Sequence, residues 1–293
     1  MSDFINIPAY LIKNLSFNEL NKIEKTKILI KGKFLSLIIN KTSGKFFSTL
    51  VNFFFSHKGK VYFEKDLYIF RDKENELFYS NKRVLRPIFG FEQLIQELAD
   101  DYLLEFISIS EEDLVIDCGA NIGEFYYSIR KKQKNINYIA FEPDPRTFRC
   151  LELNLKNKTG VKLINSGLSN TNSELSFYIS EDGSDSSFIN PGVNQEIKVD
   201  SVSLDSYKLG KVKLLKIEAE GFEPEVLLGA KETIKNTSFI TIDSGPERGI
   251  DGKTTLVDVT DFLYQNGFKL IKFNPKRYVC LFVNENYIQE YYS

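Results

Sequence analysis

Histidine and cysteine are scarce in this chain, and their scarcity limits the chemistry that it can perform. His57 is the only histidine among 293 residues, which argues against a histidine-based metal site or a Ser-His-Asp triad. The three cysteines, Cys118, Cys150 and Cys280, are far apart and lack metal-ligand spacing. Because Cys118 and Cys280 lie in apolar runs, we expect reduced core thiols and a reducing compartment. We predict no metal site from these residues.

Long apolar runs and an excess of one charge are also missing. No apolar run approaches the roughly 20 residues of a membrane span. The start, MSDFINIPAY, lacks the basic segment and long apolar stretch of a secretory signal. A net charge of −2 argues against a general nucleic-acid binder. The apolar content of 42% is enough for a real core, and the length suits one large domain or one domain with an appendage.

The stretch from Asp113 to Asp144 predicts a βαβ unit. It contains an apolar strand, a glycine-containing turn at 118–123, a helix near 124–132, and a second strand that ends at Glu142. Glycines let a backbone approach a ligand closely, and a helix N-terminus offers unpaired N–H groups. An acid at the end of the second strand can accept hydrogen bonds from both hydroxyls of a ribose. We therefore predict a cofactor that contains a nucleoside.

The same turn favours S-adenosylmethionine over a dinucleotide. A dinucleotide prefers G-x-G-x-x-G, whereas residues 119–123 read G-A-N-I-G, with one glycine where two would flank the pyrophosphate. Asp117 precedes this turn, and its carboxylate would repel a pyrophosphate but suits a sulfonium and an ammonium group. An NAD(P)-dependent oxidoreductase therefore stays as an alternative that the pattern disfavours.

Later segments extend the predicted sheet. A third strand at 161–164 leads to Ser166, Gly167 and Leu168, which we expect to border a base ring because ligands bind at the carboxyl ends of such strands. Residues 170–206 depart from the strand–helix alternation and predict a β-hairpin insertion, whose polar loop either closes over the site or is solvated. The chain ends with two strands joined by a short connection, which predicts one antiparallel strand in a mostly parallel sheet.

A second charged cluster follows the strand near 212–217. Residues 216–221 read K-I-E-A-E-G, so Lys216, Glu218 and Glu220 would point to one side of an extended run. Ionisable groups at a strand end are costly to bury without a use. We expect the two glutamates to raise the pKa of one carboxyl and create a base near neutral pH, with Lys216 as counter-charge. A solvated strand end with an ion pair is the simpler alternative.

The first 90 residues carry no readable catalytic motif. On a helix over 45–58, one face would hold Phe46, Leu50, Phe53 and Phe54, and Phe47, Val51 and Phe55 would widen it. Such a face usually packs on the same protein or on a second subunit, and the alternative is an interfacial helix that touches a membrane surface. We expect His57 to end this helix as a polar residue, with a general-base role as the remoter alternative.

Taken together, these motifs resemble the FkbM family of S-adenosylmethionine-dependent O-methyltransferases, a branch of the class I methyltransferases. The matching pieces are the final strand pair and DLVIDCGANIGEF at 113–125, FEPDP at 141–145, DSVSLD at 200–205 and KIEAEGFEPEVLLGA at 216–230. The resemblance covers about residues 90–284. The family usually has aspartate where Glu218 stands, and its fifth strand often ends in glutamate where Asp243 stands.

The resemblance implies an α/β fold: a Rossmann-like, seven-stranded, mostly parallel sheet with one antiparallel strand. A methyltransferase domain at 91–293, with the hairpin insertion at 170–206, would follow an N-terminal α+β extension at 1–90. The implied cofactor is S-adenosylmethionine. The implied cofactor-binding residues are Asp117, Gly119, Ala120, Asn121, Gly123, Glu142, Pro143, Asp144, Ser166, Gly167 and Leu168. The implied catalytic residues are Glu218, Glu220 and Lys216.

The implied reaction is methyl transfer to a hydroxyl of a saccharide, glycan or glycolipid precursor. We expect a small-molecule or glycan acceptor, no nucleic acid, and a cytoplasmic protein, with a homo-oligomer and a peripheral contact with the inner face of the membrane left open. A non-catalytic nucleotide-binding or membrane-associated partner in glycan assembly is the other functional alternative. Nothing in the sequence requires a metal, although oxygen ligands around Glu218, Glu220 and Asp243 leave a divalent ion open.

Overall fold

The computed structural model describes residues 21–55, 58–180 and 186–292. They divide into two compact units, one that ends at Phe91 and one that begins at Glu92. His57 and part of the predicted polar loop, residues 181–185, lie outside the described residues. No described helix combines the length and the apolarity that a bilayer crossing needs.

The N-terminal unit combines two helices with a small antiparallel sheet. Its elements are α1 (Lys22–Lys41), α2 (Gly44–Phe54), β1 (Lys60–Glu64), β2 (Leu67–Arg71) and β3 (Glu76–Tyr79), and the strands pair in the order β1-β2-β3. Asn21 starts α1 with a capping box: its side chain accepts from the N–H of Glu24, and the Glu24 carboxylate accepts from the N–H of Asn21, each at 3.0 Å.

The apolar residues of α2 form a buried set and an exposed set. Phe47 and Val51 are buried, whereas Phe53 is 79% exposed. The sequence predicted one apolar face of Phe46, Leu50, Phe53 and Phe54, with Phe47, Val51 and Phe55 beside it. The structure instead buries Phe47, Val51 and Phe55 and exposes Phe46, Phe53 and Phe54. The cause is Asn52, whose side-chain amide donates to the carbonyl of Val61 at 2.6 Å and accepts from its N–H at 2.8 Å. These bonds fix the side of α2 that faces β1.

The second unit contains a seven-stranded sheet with helices around it. The helices are α3 (Phe91–Asp101), α4 (Glu124–Lys132), α5 (Pro145–Leu155), α6 (Glu223–Leu228), α7 (Leu256–Gln265) and α8 (Gln289–Tyr292). The strands are β4 (Leu114–Cys118), β5 (Asn137–Phe141), β6 (Val161–Ile164), β7 (Gly167–Leu168), β8 (Ser173–Tyr178), β9 (Glu196–Val202), β10 (Val212–Ile217), β11 (Thr237–Asp243), β12 (Pro246–Arg248), β13 (Lys253–Thr254), β14 (Phe268–Asn274) and β15 (Val279–Asn284).

The large sheet has the strand order β14-β15-β11-β10-β4-β5-β6. β15 runs antiparallel to both of its neighbours, and the other adjacent pairs are parallel. This confirms the predicted Rossmann-like, mostly parallel sheet with one antiparallel strand. The chain leaves β4 toward β6 on one side and returns through β10 toward β14 on the other. Ligands bind at the carboxyl ends of strands where the order reverses in this way, which here lies between β4 and β10.

The core lies on both faces of this sheet. β10, β11 and β15 are buried along their whole length, which is typical of strands covered on both sides. Cys118, Cys150 and Cys280 are buried and form no disulfide, as expected for core thiols. α3 ends at Asp101, and Leu103 just beyond it adopts a left-handed conformation with φ of 60°.

A smaller sheet holds the hairpin that leaves the strand–helix alternation. β8 and β9 pair antiparallel, β7 pairs parallel with β9, and the order is β7-β9-β8. Beyond the loop, Ser187 returns to β8 and exchanges backbone hydrogen bonds with Tyr178 at 2.8 and 3.0 Å. This return brings residues 186–189 toward the carboxyl ends of the large sheet's strands.

Candidate active site

A buried group of three charges lies at the carboxyl ends of the two central strands. Asp117 on β4 and Lys216 on β10 are register partners. The Lys216 ammonium lies 3.0 Å from a carboxylate oxygen of Asp117 and 3.0 Å from one of Glu218. It also donates to the carbonyls of Cys118 at 3.2 Å and Gly119 at 2.8 Å. Lys216 is only 2% exposed, so these contacts hold it firmly in place.

The charged groups in this cluster shift one another's pKa values. Burial alone disfavours the Lys216 ammonium, but the carboxylates of Asp117 and Glu218 outweigh burial and raise the pKa of Lys216. Burial also disfavours the Glu218 carboxylate, but Lys216 and Arg277 outweigh it and lower the pKa of Glu218 to about 2. Arg277 lies 3.3 Å from Glu218 and 3.1 Å from Asp243. Glu218 is therefore ionised at neutral pH and is a poor proton acceptor.

These contacts correct the role expected for residues 216–221. The structure brings Lys216 and Glu218 together, but their pairing lowers the pKa of Glu218 instead of raising it. The extended run stops at Ile217, and Glu220 adopts φ of 50°, so its side chain does not continue the predicted row. The charge row was predicted from strand alternation, which does not extend into this turn.

Asp117 is sealed inside the protein. Its side chain is fully buried, one oxygen faces Lys216, and the other accepts a hydrogen bond from the hydroxyl of Tyr138. Burial and the neighbouring carboxylate raise the pKa of Tyr138, so its hydroxyl stays a donor. Asp117 ties β4 to its neighbours β5 and β10, and its predicted role in cofactor binding stays a prediction.

The turn after β4 needs glycine for two different reasons. Gly119 has φ of 73°, and a Cβ there would lie 2.0 Å from the carbonyl oxygen of Glu218, so glycine lets the two turns meet backbone to backbone. Gly123 has φ of 93°, and a Cβ there would lie 2.7 Å from the Leu155 side chain. Gly123 thus permits α4 to pack on α5. Between them, Ala120 is buried and Asn121 is half-buried.

Glu142 stands at the end of β5 beside this turn. One carboxylate oxygen accepts from the N–H of Asn121 and the other from the N–H of Asp144, each at 2.9 Å. Burial is the main influence and raises the pKa of Glu142 to about 8. A carboxylate has about four acceptor sites, so two bonds leave capacity for further donors. Glu142 is therefore fixed in orientation and can still accept from a ligand diol.

Asp144 serves the start of α5. Its carboxylate accepts from the N–H of Arg146 at 3.0 Å and from the hydroxyl of Thr147 at 2.9 Å, which is an N-terminal cap. A cap explains this acid without any cofactor contact, so its predicted binding role stays a prediction. Ser166, Gly167 and Leu168 are buried beside this helix end.

Phe188 borders the place where a base ring is expected. A Cβ at Gly167 would lie 2.3 Å from the Phe188 ring and 3.5 Å from Pro143, so the two side chains flank this glycine. The ring also contacts Phe177 and Phe222, with centroids 5.1 and 5.0 Å away. Phe188 cannot be identified from the sequence, because its position depends on how the hairpin returns after its loop.

Glu223 holds the turn at 218–221 in shape. One carboxylate oxygen accepts from the N–H groups of Ala219 and Gly221 at 3.0 Å each, and the other accepts from the Thr255 hydroxyl at 2.9 Å. Burial raises the pKa of Glu223 to about 7. Ser187 adds a bond from its hydroxyl to the carbonyl of Glu220 at 2.8 Å. The turn that carries Glu218 and Glu220 is therefore rigid.

A further carboxyl group, which no pattern in the sequence indicates, lies beside this turn. A Cβ at Gly245 would lie 3.2 Å from a carboxylate oxygen of Glu247 and 3.3 Å from one of Asp243, so the two acids converge on the same point. Burial, reinforced by Asp243 and other acids, raises the pKa of Glu247 to about 7, while a hydrogen bond with Glu220 opposes the shift. A base near neutral pH is thus available at Glu247.

Burial also raises the pKa of Asp243 to about 6, with Glu218 adding to the shift and Arg277 opposing it. Arg277 lies in the turn between β14 and β15, and Glu247 lies on the short strand β12. Polar residues in such short segments ordinarily indicate nothing beyond a surface position. Within the described ranges, no three or more His, Cys, Asp or Glu side chains are arranged to hold a metal ion.

The sheet, its antiparallel strand and the acid beside the glycine turn are those of a class I methyltransferase. Residues 117–270 match the family described as the methyltransferase FkbM domain, and this match spans more than half of the chain. The chain belongs to the FkbM methyltransferase family, and it is a methyltransferase. Both predictions are confirmed.

Several known proteins are similar to this chain. Methyltransferase 1 of Beauveria bassiana is 25% identical over 207 residues, covering 61% of this chain and 82% of that protein. Hexuronic acid methyltransferase AglP of Haloferax volcanii is 27% identical over 183 residues, covering 61% and 70%. The 2-O-methyltransferase NoeI of Sinorhizobium fredii is 24% identical over 196 residues, covering 59% and 79%.

Among solved structures, the methyltransferase FkbM of Methylobacillus flagellatus KT aligns with a TM-score of 0.44 and 19% identity. The alignment covers 68% of this chain and 59% of that one.

Proposed function

We propose that this methyltransferase uses S-adenosylmethionine to methylate a hydroxyl group of a saccharide, glycan or glycolipid precursor. The observation that carries the proposal is the pair of acids on either side of the turn after β4. Glu142 is hydrogen-bonded to the N–H of Asn121, and the backbone of Glu218 lies against Gly119. One acid suits a diol, and the other, ionised, suits a positively charged group.

The residues present fit S-adenosylmethionine better than a phosphate-bearing cofactor. Of the basic residues beside this turn, Lys216 is enclosed by its own partners and cannot reach a phosphate without breaking them, and Arg277 is paired with Glu218 and Asp243. When bound, S-adenosylmethionine supplies an electrophilic methyl group on a positively charged sulfur. Glu142 would hold the ribose hydroxyls, and Phe188 and Pro143 would border the base. Glu218, ionised at neutral pH, would favour the positive end.

The acceptor hydroxyl has to lose its proton, and Glu247 is suited to take it. Its pKa of about 7 lies near the pH at which the enzyme would work, which is where a general base is most effective. Glu218 cannot serve in this way, because its pKa of about 2 makes it too weak a base. In this proposal Glu220 positions Glu247 through their hydrogen bond, and the Glu247 carboxylate accepts the hydroxyl proton.

Two relatives support a sugar hydroxyl as the acceptor. One is named a hexuronic acid methyltransferase and another a 2-O-methyltransferase. Membership of a methyltransferase family sets aside the oxidoreductase alternative. A non-catalytic binding partner would retain the cofactor site but would not need a base at Glu247.

The test is methyl transfer from radiolabelled S-adenosylmethionine to a panel of p-nitrophenyl glycosides that includes hexoses, deoxyhexoses and hexuronic acids. The proposal predicts label in at least one glycoside, with Glu247→Gln lowering the rate by about 100-fold or more. Glu152→Gln, on the exposed side of α5, is the matched control and should leave the rate unchanged. Transfer to an added amine or thiol acceptor with none to any glycoside would contradict the proposal.

A further inference from the structure

The N-terminal unit exposes seven large apolar side chains on its two helices. On α1, Ile23, Ile30, Phe34 and Leu37 are exposed at intervals of seven, four and three residues, which places them on one side of the helix. The ring of Phe34 meets that of Phe54 on α2 edge to face, with centroids 4.8 Å apart. We call the exposed set the α1–α2 surface; it comprises Ile23, Ile30, Phe34, Leu37, Phe46, Phe53 and Phe54.

Apart from the contact between Phe34 and Phe54, this surface does not include the buried residues of the two helices. The buried residues of α1 are Gly32, Leu35 and Ile38, and those of α2 include Phe47 and Val51. Seven of the 14 large apolar side chains that are exposed in the described residues belong to the α1–α2 surface. Such a concentration of exposed apolar side chains indicates a binding surface, because ordinary surfaces hold them singly.

The charge around the surface is strongly positive. Residues 21–60 contain nine lysines and a single acid, Glu24, whereas the whole chain carries a net charge of −2. Glu24 is committed to the capping box of α1. Lys27, Lys33 and Lys41 are exposed and lie three or four positions from members of the apolar stripe, so they are its neighbours on the helix.

We propose that the α1–α2 surface binds an anionic lipid bilayer, with its apolar side chains entering the headgroup boundary and its lysines contacting anionic headgroups. An amphipathic helix with aromatic and aliphatic side chains beside lysines has the composition that lies in such an interface. The charge decides between this and other occupants. A second copy of the chain would bring its own lysines against these ones, whereas an anionic membrane neutralises them. This proposal does not depend on the choice of cofactor or acceptor.

The experiment is co-sedimentation of the full-length protein with two kinds of vesicle at low salt. One kind is phosphatidylcholine alone, and the other also contains phosphatidylglycerol. We expect at least about tenfold stronger binding to the anionic vesicles. The double substitution Phe53→Ser with Leu37→Ser should reduce this binding about tenfold or more, because it removes the apolar side chains that enter the bilayer. Circular dichroism would verify that each variant is folded.

Control variants test whether binding depends on the α1–α2 surface or on exposed apolar area and positive charge in general. Ile250 is 79% exposed and Val257 is 65% exposed in the other unit, so Ile250→Ser with Val257→Ser removes similar area elsewhere and should bind as wild type. Lys33→Glu with Lys41→Glu should weaken binding more than Lys134→Glu with Lys276→Glu, which changes the net charge equally.

Three results would overturn the proposal. The protein could fail to sediment with anionic vesicles. The Phe53 and Leu37 variant could bind as well as wild type, which would leave only diffuse charge attraction. Light scattering could show a wild-type dimer that this same variant converts to monomer, which would mean that a second copy covers the surface.

Discussion

Replacing Lys216 with methionine should be the most destabilising single change among the charged residues of the site. The substitution keeps a long side chain but removes the ammonium that lies 3.0 Å from both Asp117 and Glu218. Glu218 would retain Arg277, but fully buried Asp117 would retain only the hydroxyl of Tyr138. Removing one partner of a buried ion pair costs about 3–5 kcal/mol, so we expect that loss in the free energy of unfolding.

Urea denaturation of four proteins would measure this effect: wild type, Lys216→Met, Asp117→Asn and the double variant. Asp117→Asn removes the stranded charge, so the double variant should recover much of the stability that Lys216→Met loses. Lys235→Met is the matched control. Lys235 lies only 2.7 Å from Glu232, but both side chains are mostly exposed, so its loss should cost less than about 1 kcal/mol. An equally small loss of stability for Lys216→Met would show that Lys216 does not stabilise the fold through buried Asp117.

Three further predictions concern the cofactor turn and the base. Because the pKa of Glu142 is raised to about 8 and ribose hydroxyls donate to its ionised form, affinity for S-adenosylhomocysteine should rise with pH, by up to about tenfold per unit below pH 8, in calorimetric titrations. The rate with an accepted glycoside should rise as pH passes about 7, and Glu247→Gln should abolish that rise without changing S-adenosylhomocysteine affinity. Gly119→Ala, whose Cβ would lie 2.0 Å from a carbonyl oxygen, should lower the melting temperature and cofactor affinity together.

The raised carboxyl pKa values also make the stability of the fold depend on pH, in a direction that can be stated. A carboxyl whose pKa is raised in the folded state stabilises the fold below its ordinary pKa of about 4.5 and loses that contribution as pH rises through the folded value. Glu223, raised to about 7, should therefore make the protein less stable at pH 8 than at pH 5, all else equal. Glu223→Gln should reduce this slope, because it cannot ionise.

Local patterns were enough to predict the sheet and the glycine-containing turn after β4. Each strand had its own apolar run, and the short link between the last two strands required β15 to be antiparallel, as it is. The acid at the end of β5 was predicted from position alone. These features depend on residues close together in the sequence, which a single sequence displays directly.

The chemistry of the charged residues could not be predicted in the same way. Lys216 was recognised, but its burial depends on β4 and on β11, which flank its strand. Arg277, in the turn between β14 and β15, and Glu247, on the short strand β12, reach the ends of β10 and β11 only through the fold. Likewise, the sequence does not indicate which side of α2 packs, because the bonds between Asn52 and Val61 that fix this side join two different elements.

In the proposed function, Glu142 at the end of β5 holds the ribose of S-adenosylmethionine. Calorimetric titration of the full-length protein with S-adenosylhomocysteine tests it most directly, beside Glu142→Gln and the exposed control Glu152→Gln. We predict saturable binding to wild type and to Glu152→Gln, and binding about 10- to 100-fold weaker to folded Glu142→Gln. No binding to folded wild type, or equal binding to all three proteins, would contradict this role for Glu142.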